Sequence, residues 1–242
     1  MALVSCILAT KDRPHFLARA IQYYQQQTLT DTELIIIDDG AQSCESLVPR
    51  ASQITYLRLP NQTSLGTKLN LGIEASSGHI IQKLDDDDYY HPAFLETMTS
   101  ALLNRGCRDV IAAVERLLVL ITATGELVDA GSGWFAGGTY CFFREAWKQH
   151  PFRDVPRRED VFFLEDHPDL VALRVSVPEL YILVRHGTNT WARLGRGRAV
   201  QPSVNSPVED VTSYFMSCPR HTKSLRELLP TEHARFYEGL RR

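Results

Sequence analysis

The feature that most constrains the fold is a threefold recurrence of one pattern, an apolar strand-sized run ending in a polar cluster. Residues 3–9 end in Thr10-Lys11-Asp12-Arg13. Leu34-Ile35-Ile36-Ile37 stops at Asp38-Asp39-Gly40, and His79-Ile80-Ile81-Gln82-Lys83-Leu84 runs into Asp85-Asp86-Asp87-Asp88. Short, nearly continuous apolar runs read as strands buried on both faces. Helix signals separate them: Pro14 suits the first turn of a helix to about Gln26, Ser64 an N-cap for a helix through Ala75, and Pro92 the start of a helix to about Asn104. Ile54 to Leu59 alternates and supplies a further strand. Strands alternating with helices predict an α/β fold, a mostly parallel sheet flanked by helices on both faces. Ligands of such sheets bind beyond the carboxyl ends of the strands. The three polar clusters share that edge.

The pattern changes after residue 108. Val110–Val114, Leu117–Thr122 and Thr139–Phe143 read as strands, with a turn at Thr124-Gly125-Glu126 and a glycine-punctuated loop through Gly131, Gly133, Gly137 and Gly138. A helix is expected near Arg158 and strands near 171–176 and 180–185. These form a smaller, antiparallel portion. The run Arg193-Leu194-Gly195-Arg196-Gly197-Arg198 reads as a loop, with helices expected near 207–217 and 222–240, the second restarted at Pro230. The expected organisation is one domain over 1–190, with halves 1–105 and 106–190, followed by a loop and helical extension over 191–242.

Of the 242 residues, 44% are hydrophobic and 23% charged, which excludes wholesale disorder, collagen-like repeats and coiled coil. A net charge of −3 argues against a dedicated nucleic-acid binder. The sum hides a polarity: residues 1–150 carry 12 cations and 17 anions, and residues 151–242 carry 14 and 12. The odd count of five cysteines, without C-x-x-C spacing, fits reduced thiols in a cytoplasmic protein rather than disulfides or a zinc site. No run is long enough to span a bilayer and the first residues lack the basic head of a signal peptide, so any work at a membrane is expected to be peripheral.

The four aspartates carry the chemistry. Crowded carboxylates must be neutralised, hydrogen-bonded or metal-bound. Alternate residues of an extended segment point the same way, so Asp85 and Asp87 can share a target. Oxygen donors suit Mg²⁺ or Mn²⁺, with open positions left for substrate phosphate. Asp88 equally suits the start of the following helix. In Asp38-Asp39-Gly40 a carboxylate can accept from a nucleobase or a ribose, or close an Asx turn.

Together these segments resemble the family 2 glycosyltransferases with the GT-A fold. The resemblance rests on Val4 through Arg13, Glu33 through Gly40, Leu65-Gly66-Thr67-Lys68-Leu69-Asn70 and Gly78 through Pro92, and more loosely on Gly137-Gly138-Thr139-Tyr140 and Arg158-Glu159-Asp160. It implies an inverting, metal-dependent transfer of a sugar from a nucleoside-diphosphate sugar, of UDP or dTDP type, to a carbohydrate, lipid-linked or protein acceptor, as in polysaccharide biosynthesis. It also implies roles. Asp39 reads the base, Thr10 and Arg13 wrap the nucleoside, and Lys68 lies beside the nucleotide or packs the helix start. Asp85 and Asp87 form the D-x-D motif with Asp86 between them on the donor side. Asp87 and His186 hold Mn²⁺ or Mg²⁺, and Asp160 is the general base. Asp160 also fits an ordinary anionic helix start, with Glu165 and Asp166 as a competing pair. Trp134 and Phe135 suit either an acceptor sugar or the core. The family's aromatic-Asn pair after the first strand is Lys11-Asp12 here, which alters the pyrimidine contact or pairs with Arg13. Two other readings are a sugar-1-phosphate nucleotidyltransferase, disfavoured because Thr10 to Pro14 has no glycine, and a degenerate sugar-binding or scaffold protein.

Overall fold

Seven strands form the main sheet of the computed structural model, which describes residues 3–189 and 211–240. In chain order come β1 (Val4–Thr10), α1 (Pro14–Gln25), β2 (Thr32–Asp38), β3 (Ile54–Arg58), α2 (Leu65–Ala75), β4 (Ile80–Asp85), β5 (Tyr89–Tyr90), α3 (Phe94–Asn104) and β6 (Val110–Val114). Then follow β7 (Leu118–Ile121), β8 (Glu126–Asp129), β9 (Cys141–Phe143), α4 (Arg144–Gln149), α5 (Glu159–Glu165), β10 (Val171–Val175) and β11 (Tyr181–Arg185). The C-terminal helices are α6 (Val211–Ser217), α7 (Leu225–Leu228) and α8 (Thr231–Gly239).

The main sheet has the order β10-β6-β9-β4-β1-β2-β3. All pairings are parallel except those of β9, which runs antiparallel between β4 and β6. Alternate residues pack the two faces. Cys6, Leu8, Leu34 and Ile36 join Leu17, Ile21 and Met98 on one side. Ile7, Ile35, Ile37 and Ile81 join Leu69, Ile73, Phe142 and Phe163 on the other. Both faces are therefore dry, which is why the strands read as continuous apolar runs. Helix α2 begins at the expected residue, with Ser64 Oγ accepting from the Thr67 amide at 3.0 Å. Gly72 brings that helix onto the sheet, since a Cβ there would collide with Ile37 and Ile7.

The register places the polar ends together. Thr10 pairs with Asp38, and Ala9 with Asp85. The smaller sheet, β5-β11-β7-β8, is mixed: β11 runs parallel to β7 and antiparallel to β5. β8 and α4 were not expected from the sequence. Helices α6 and α8 pack into the main core through Val211, Phe215, Ala234 and Tyr237. The Arg193–Arg198 run and the start of the helix expected at 207 lie outside the described residues. Among the described residues no helix is long and apolar enough to cross a membrane. All five cysteines are free thiols.

Candidate active site

The carboxyl ends of β1, β2 and β4 form one wall. Asp12 adopts a left-handed conformation (φ 54°), which Asp tolerates better than most residues. There its Oδ1 accepts the Ala41 amide and locks the loop after β2 to the loop after β1. The sequence left open whether Asp12 alters the pyrimidine contact or pairs with Arg13; Arg13 pairs with Asp86 and Asp87 instead.

Asp38 is fully buried and builds the loop. It accepts from the Tyr56 hydroxyl at 2.6 Å and from the Gly40 and Cys44 amides at 2.8 and 3.1 Å. Burial works against its charge, but these donors and Arg58 hold its carboxyl below the usual range. Asp39 lies beside it, between Lys68 Nζ at 2.8 Å and the Thr63 amide at 2.9 Å. Lys68 also reaches the Thr10 carbonyl at 3.3 Å. Two residues nominated separately, Asp39 and Lys68, thus form one buried ion pair.

The four aspartates divide their work. Asp85 is the open one, with a side chain 35% exposed. Asp86 turns inward to the Thr10 hydroxyl at 2.6 Å and Arg13 at 3.0 Å. Burial and the neighbouring Asp87 charge push its carboxyl up, against the pull of Arg13. Asp87 Oδ2 meets Arg13 at 2.8 Å, His186 Nε2 at 2.9 Å and Asn189 Nδ2 at 3.2 Å. Burial opposes its charge too, yet His186 and Arg13 bring its carboxyl below the ordinary value. Asp88 does not cap the following helix as the sequence allowed. It is buried, accepts from the Tyr181 hydroxyl and the Val184 amide, and so ties the segment between β4 and β5 to β11. Burial and the adjacent aspartates raise its pKa well above the usual value.

The opposite wall comes from the second half of the chain. Gly137 and Gly138 form a tight turn just before β9. A Cβ on Gly137 would strike the Asp160 carboxylate, and one on Gly138 would strike that of Asp85. Two carboxylates from distant segments thus lie against neighbouring glycines. Asp160 is half-buried in the first turn of α5, and its Oδ1 accepts the Val161 amide at 2.8 Å. The preceding Arg158 has φ 64°, a left-handed backbone uncommon for its type. Of the competing pair, Glu165 is exposed at the end of α5, and Asp166 is engaged by Arg153 at 2.8 Å.

Sequence reasoning passed over Lys83 and Glu159. Lys83 Nζ is 2.8 Å from Asp85 Oδ1 and 3.5 Å from Glu159 Oε1, and both Lys83 and Glu159 are buried. Strand alternation carried a signal, because Lys83 lies two residues before Asp85 on β4 and shares its face. Trp134 belongs to the core. It is 5% exposed, donates to the Ala130 carbonyl at 3.1 Å and packs on Phe215. Phe135 packs on Tyr140 under Arg174.

Among the described residues no three His, Cys, Asp or Glu side chains form a metal cage. The donors that do converge are the Asp87 carboxylate and the His186 imidazole. An oxygen and a nitrogen donor suit Mn²⁺ or Mg²⁺ by type, the imidazole favouring Mn²⁺, and the same Asp87 oxygen also accepts from Arg13 and Asn189.

Residues 5–117 match the family model described as glycosyl transferase family 2. An uncharacterized glycosyltransferase of Haemophilus influenzae is 21% identical over 229 residues, covering 89% of this chain and 88% of that protein. The uncharacterized glycosyltransferase YwdF of Bacillus subtilis is 28% identical over 102 residues, 41% of this chain. The chain spans only 38% of the length of that relative. Among solved structures, Staphylococcus aureus TarS 1-349 in complex with UDP-GlcNAc superposes with a TM-score of 0.62 at 12% identity, over 78% of this chain and 60% of that one. The mannosyltransferase PcManGT of Pyrobaculum calidifontis, in complex with GDP-Man and Mn²⁺, gives 0.59 at 14% identity, over 76% and 56%. The fold is therefore of the GT-A type.

Proposed function

We propose that the family 2 glycosyltransferase domain carried by this chain moves a sugar from a nucleoside-diphosphate sugar to an acceptor hydroxyl, with inversion. The observation that carries this reading is the pair of carboxylates, Asp85 and Asp160, seated on adjacent glycines at the carboxyl edge of the sheet. In this reading Asp85 faces the donor and Asp160 faces the acceptor.

The chain's own residues account for most of the chemistry. Asp39, fixed by Lys68 and the Thr63 amide, meets the base, and the loop of Thr10 and Arg13 encloses the nucleoside. Arg13 pairs with Asp86 and Asp87 and so lies beside the place that this reading gives the diphosphate. Asp160 takes the proton of the attacking hydroxyl. Attack from the side opposite the diphosphate inverts the anomeric centre. Asp87 and His186 would hold Mn²⁺ or Mg²⁺, whose chemistry is to offset negative charge building on the leaving diphosphate.

A UDP- or dTDP-linked donor is favoured over an adenine one, because the Asp39 carboxylate can accept from the ring N–H of uracil or thymine, a donor that the pairing edge of adenine lacks. The acceptor is a carbohydrate, lipid-linked or protein hydroxyl, met in the cytoplasm or at a membrane surface. The nucleotidyltransferase reading loses support, since the loop after β1 is closed by Asp12 on Ala41 rather than opened for phosphate by glycines.

A thermal-shift panel of UDP, dTDP, GDP and ADP, each with and without Mn²⁺, tests the proposal. Pyrimidine nucleotides should raise the melting temperature most, and more so with Mn²⁺. No response to any nucleotide would favour a non-enzymatic scaffold.

A further inference from the structure

A lysine with a side chain only 5% exposed is rare unless its partners hold it. Lys83 has two carboxylate partners, and they come from different halves of the molecule. Asp85 ends β4, while Glu159 is the first residue of α5 and is itself buried. Asp160 follows Glu159 directly. Helix α5 has seven residues, too few to be stable alone. Its N-cap residue, Arg158, makes no side-chain capping bond. Its first turn must therefore be fixed from outside, and the Lys83 ammonium at 3.5 Å from Glu159 is placed to do so.

We propose that Lys83 is a positioning residue for sugar transfer: its buried ammonium ties Asp85 to the first turn of α5 through Glu159, and so sets where the Asp160 carboxylate stands relative to the donor. The inference rests on the transfer reading above. Lys83 touches no reacting atom; it acts through the two carboxylates it joins. The Gly137–Gly138 turn meets Asp160 and Asp85 from the glycine side, while the ammonium joins Asp85 to Glu159, the residue before Asp160.

The test uses Lys83→Met, Glu159→Gln and the double variant. Released nucleoside diphosphate is measured with UDP-GlcNAc, UDP-glucose, dTDP-glucose and GDP-mannose as donors. Each single variant should lower kcat by about tenfold or more and shift donor KM by less than about threefold, as expected when geometry rather than affinity is lost. The double variant should lose no more than the worse single, because both cut one tie. Unchanged kcat, or losses that multiply in the double, overturns the proposal.

Amide hydrogen exchange reads the tie without substrate. Residues 160–165 should exchange faster in either single variant while β1 and β2 stay as in the wild type. Unchanged exchange in α5 also overturns it. If Lys83→Met does not fold, Glu159→Gln carries both readouts, since Lys83 then keeps Asp85. A wild-type protein that releases nucleotide from none of the four donors refutes the transfer reading, and the exchange experiment still decides the tie.

Discussion

Gly137→Ala offers a sharp test of the base assignment because it leaves Asp160 chemically intact. Gly137 has no positive φ, so alanine is allowed by the backbone. The added Cβ would lie 2.8 Å from both Cβ and Cγ of Asp160, and closer still to a carboxylate oxygen. Ordinary contact begins at 3.4 Å, so Asp160 must retreat by about 0.6 Å at its Cβ, and its carboxylate by roughly 1 Å. A displacement of about 1 Å at a reacting group costs on the order of 10²-fold in rate, equivalent to about 2.7 kcal/mol in the barrier. Overpacking of this kind costs about 1–3 kcal/mol of stability, which a melting curve reports separately. The cluster of Asp39, Lys68 and Thr10, to which the proposal assigns the nucleotide, is not touched. Gly137→Ala should therefore bind UDP as the wild type does in calorimetry, while releasing UDP from UDP-GlcNAc about a hundredfold more slowly. Asp160→Asn should be slower by about 10²–10⁴-fold with the same affinity. Near-normal turnover in Gly137→Ala would refute the argument that Asp160 acts from this position.

Asp87→Asn should remove the increment in UDP affinity that Mn²⁺ adds, measured calorimetrically with and without the ion; an increment that survives would move the metal elsewhere. Asp38 predicts a pH effect on stability. Its carboxyl is depressed, so it stabilises the folded state above its ordinary pKa of about 3.8 and that contribution disappears as pH falls through the folded value. The wild-type melting temperature should accordingly drop more steeply below about pH 4 than that of Asp38→Asn, whose loop is already weakened. Parallel curves for the two proteins would show that the Asp38 network does not favour its charged form.

The first hundred residues were legible because their signals are local and mutually consistent. Apolar runs buried on both faces, Pro14 at a helix start and Ser64 at an N-cap each gave boundaries within about two residues. β8 escaped because Glu126-Leu127-Val128-Asp129 has only two apolar residues, and it is a strand through pairing with β7. α4 escaped because it follows β9 with no intervening turn residue. In the site, the order of motifs nominated Asp85, Asp87, Asp160 and His186, but their partners depend on tertiary placement. That Asp39 meets Lys68, or that Lys83 meets Glu159, follows from strand order and from the crossing of β9. No local pattern announces either. The aromatic pair shows the converse: Trp134 is ambiguous in sequence, and Tyr214 and Phe215, from α6, decide that it is core.

The antiparallel β9 has a consequence for how the chain must be handled and made. It fills the slot between β4 and β6, although it comes after both in the sequence. A fragment ending near residue 117, where the family match stops, would leave β4 and β6 with open edges in the middle of the sheet. Unpaired central edges are templates for intermolecular pairing, so such a fragment should aggregate rather than fold. During synthesis the same gap persists until residue 143 has left the ribosome. The segment ending near residue 117 should therefore not fold by itself, and truncation should be attempted only beyond the strand that closes the sheet.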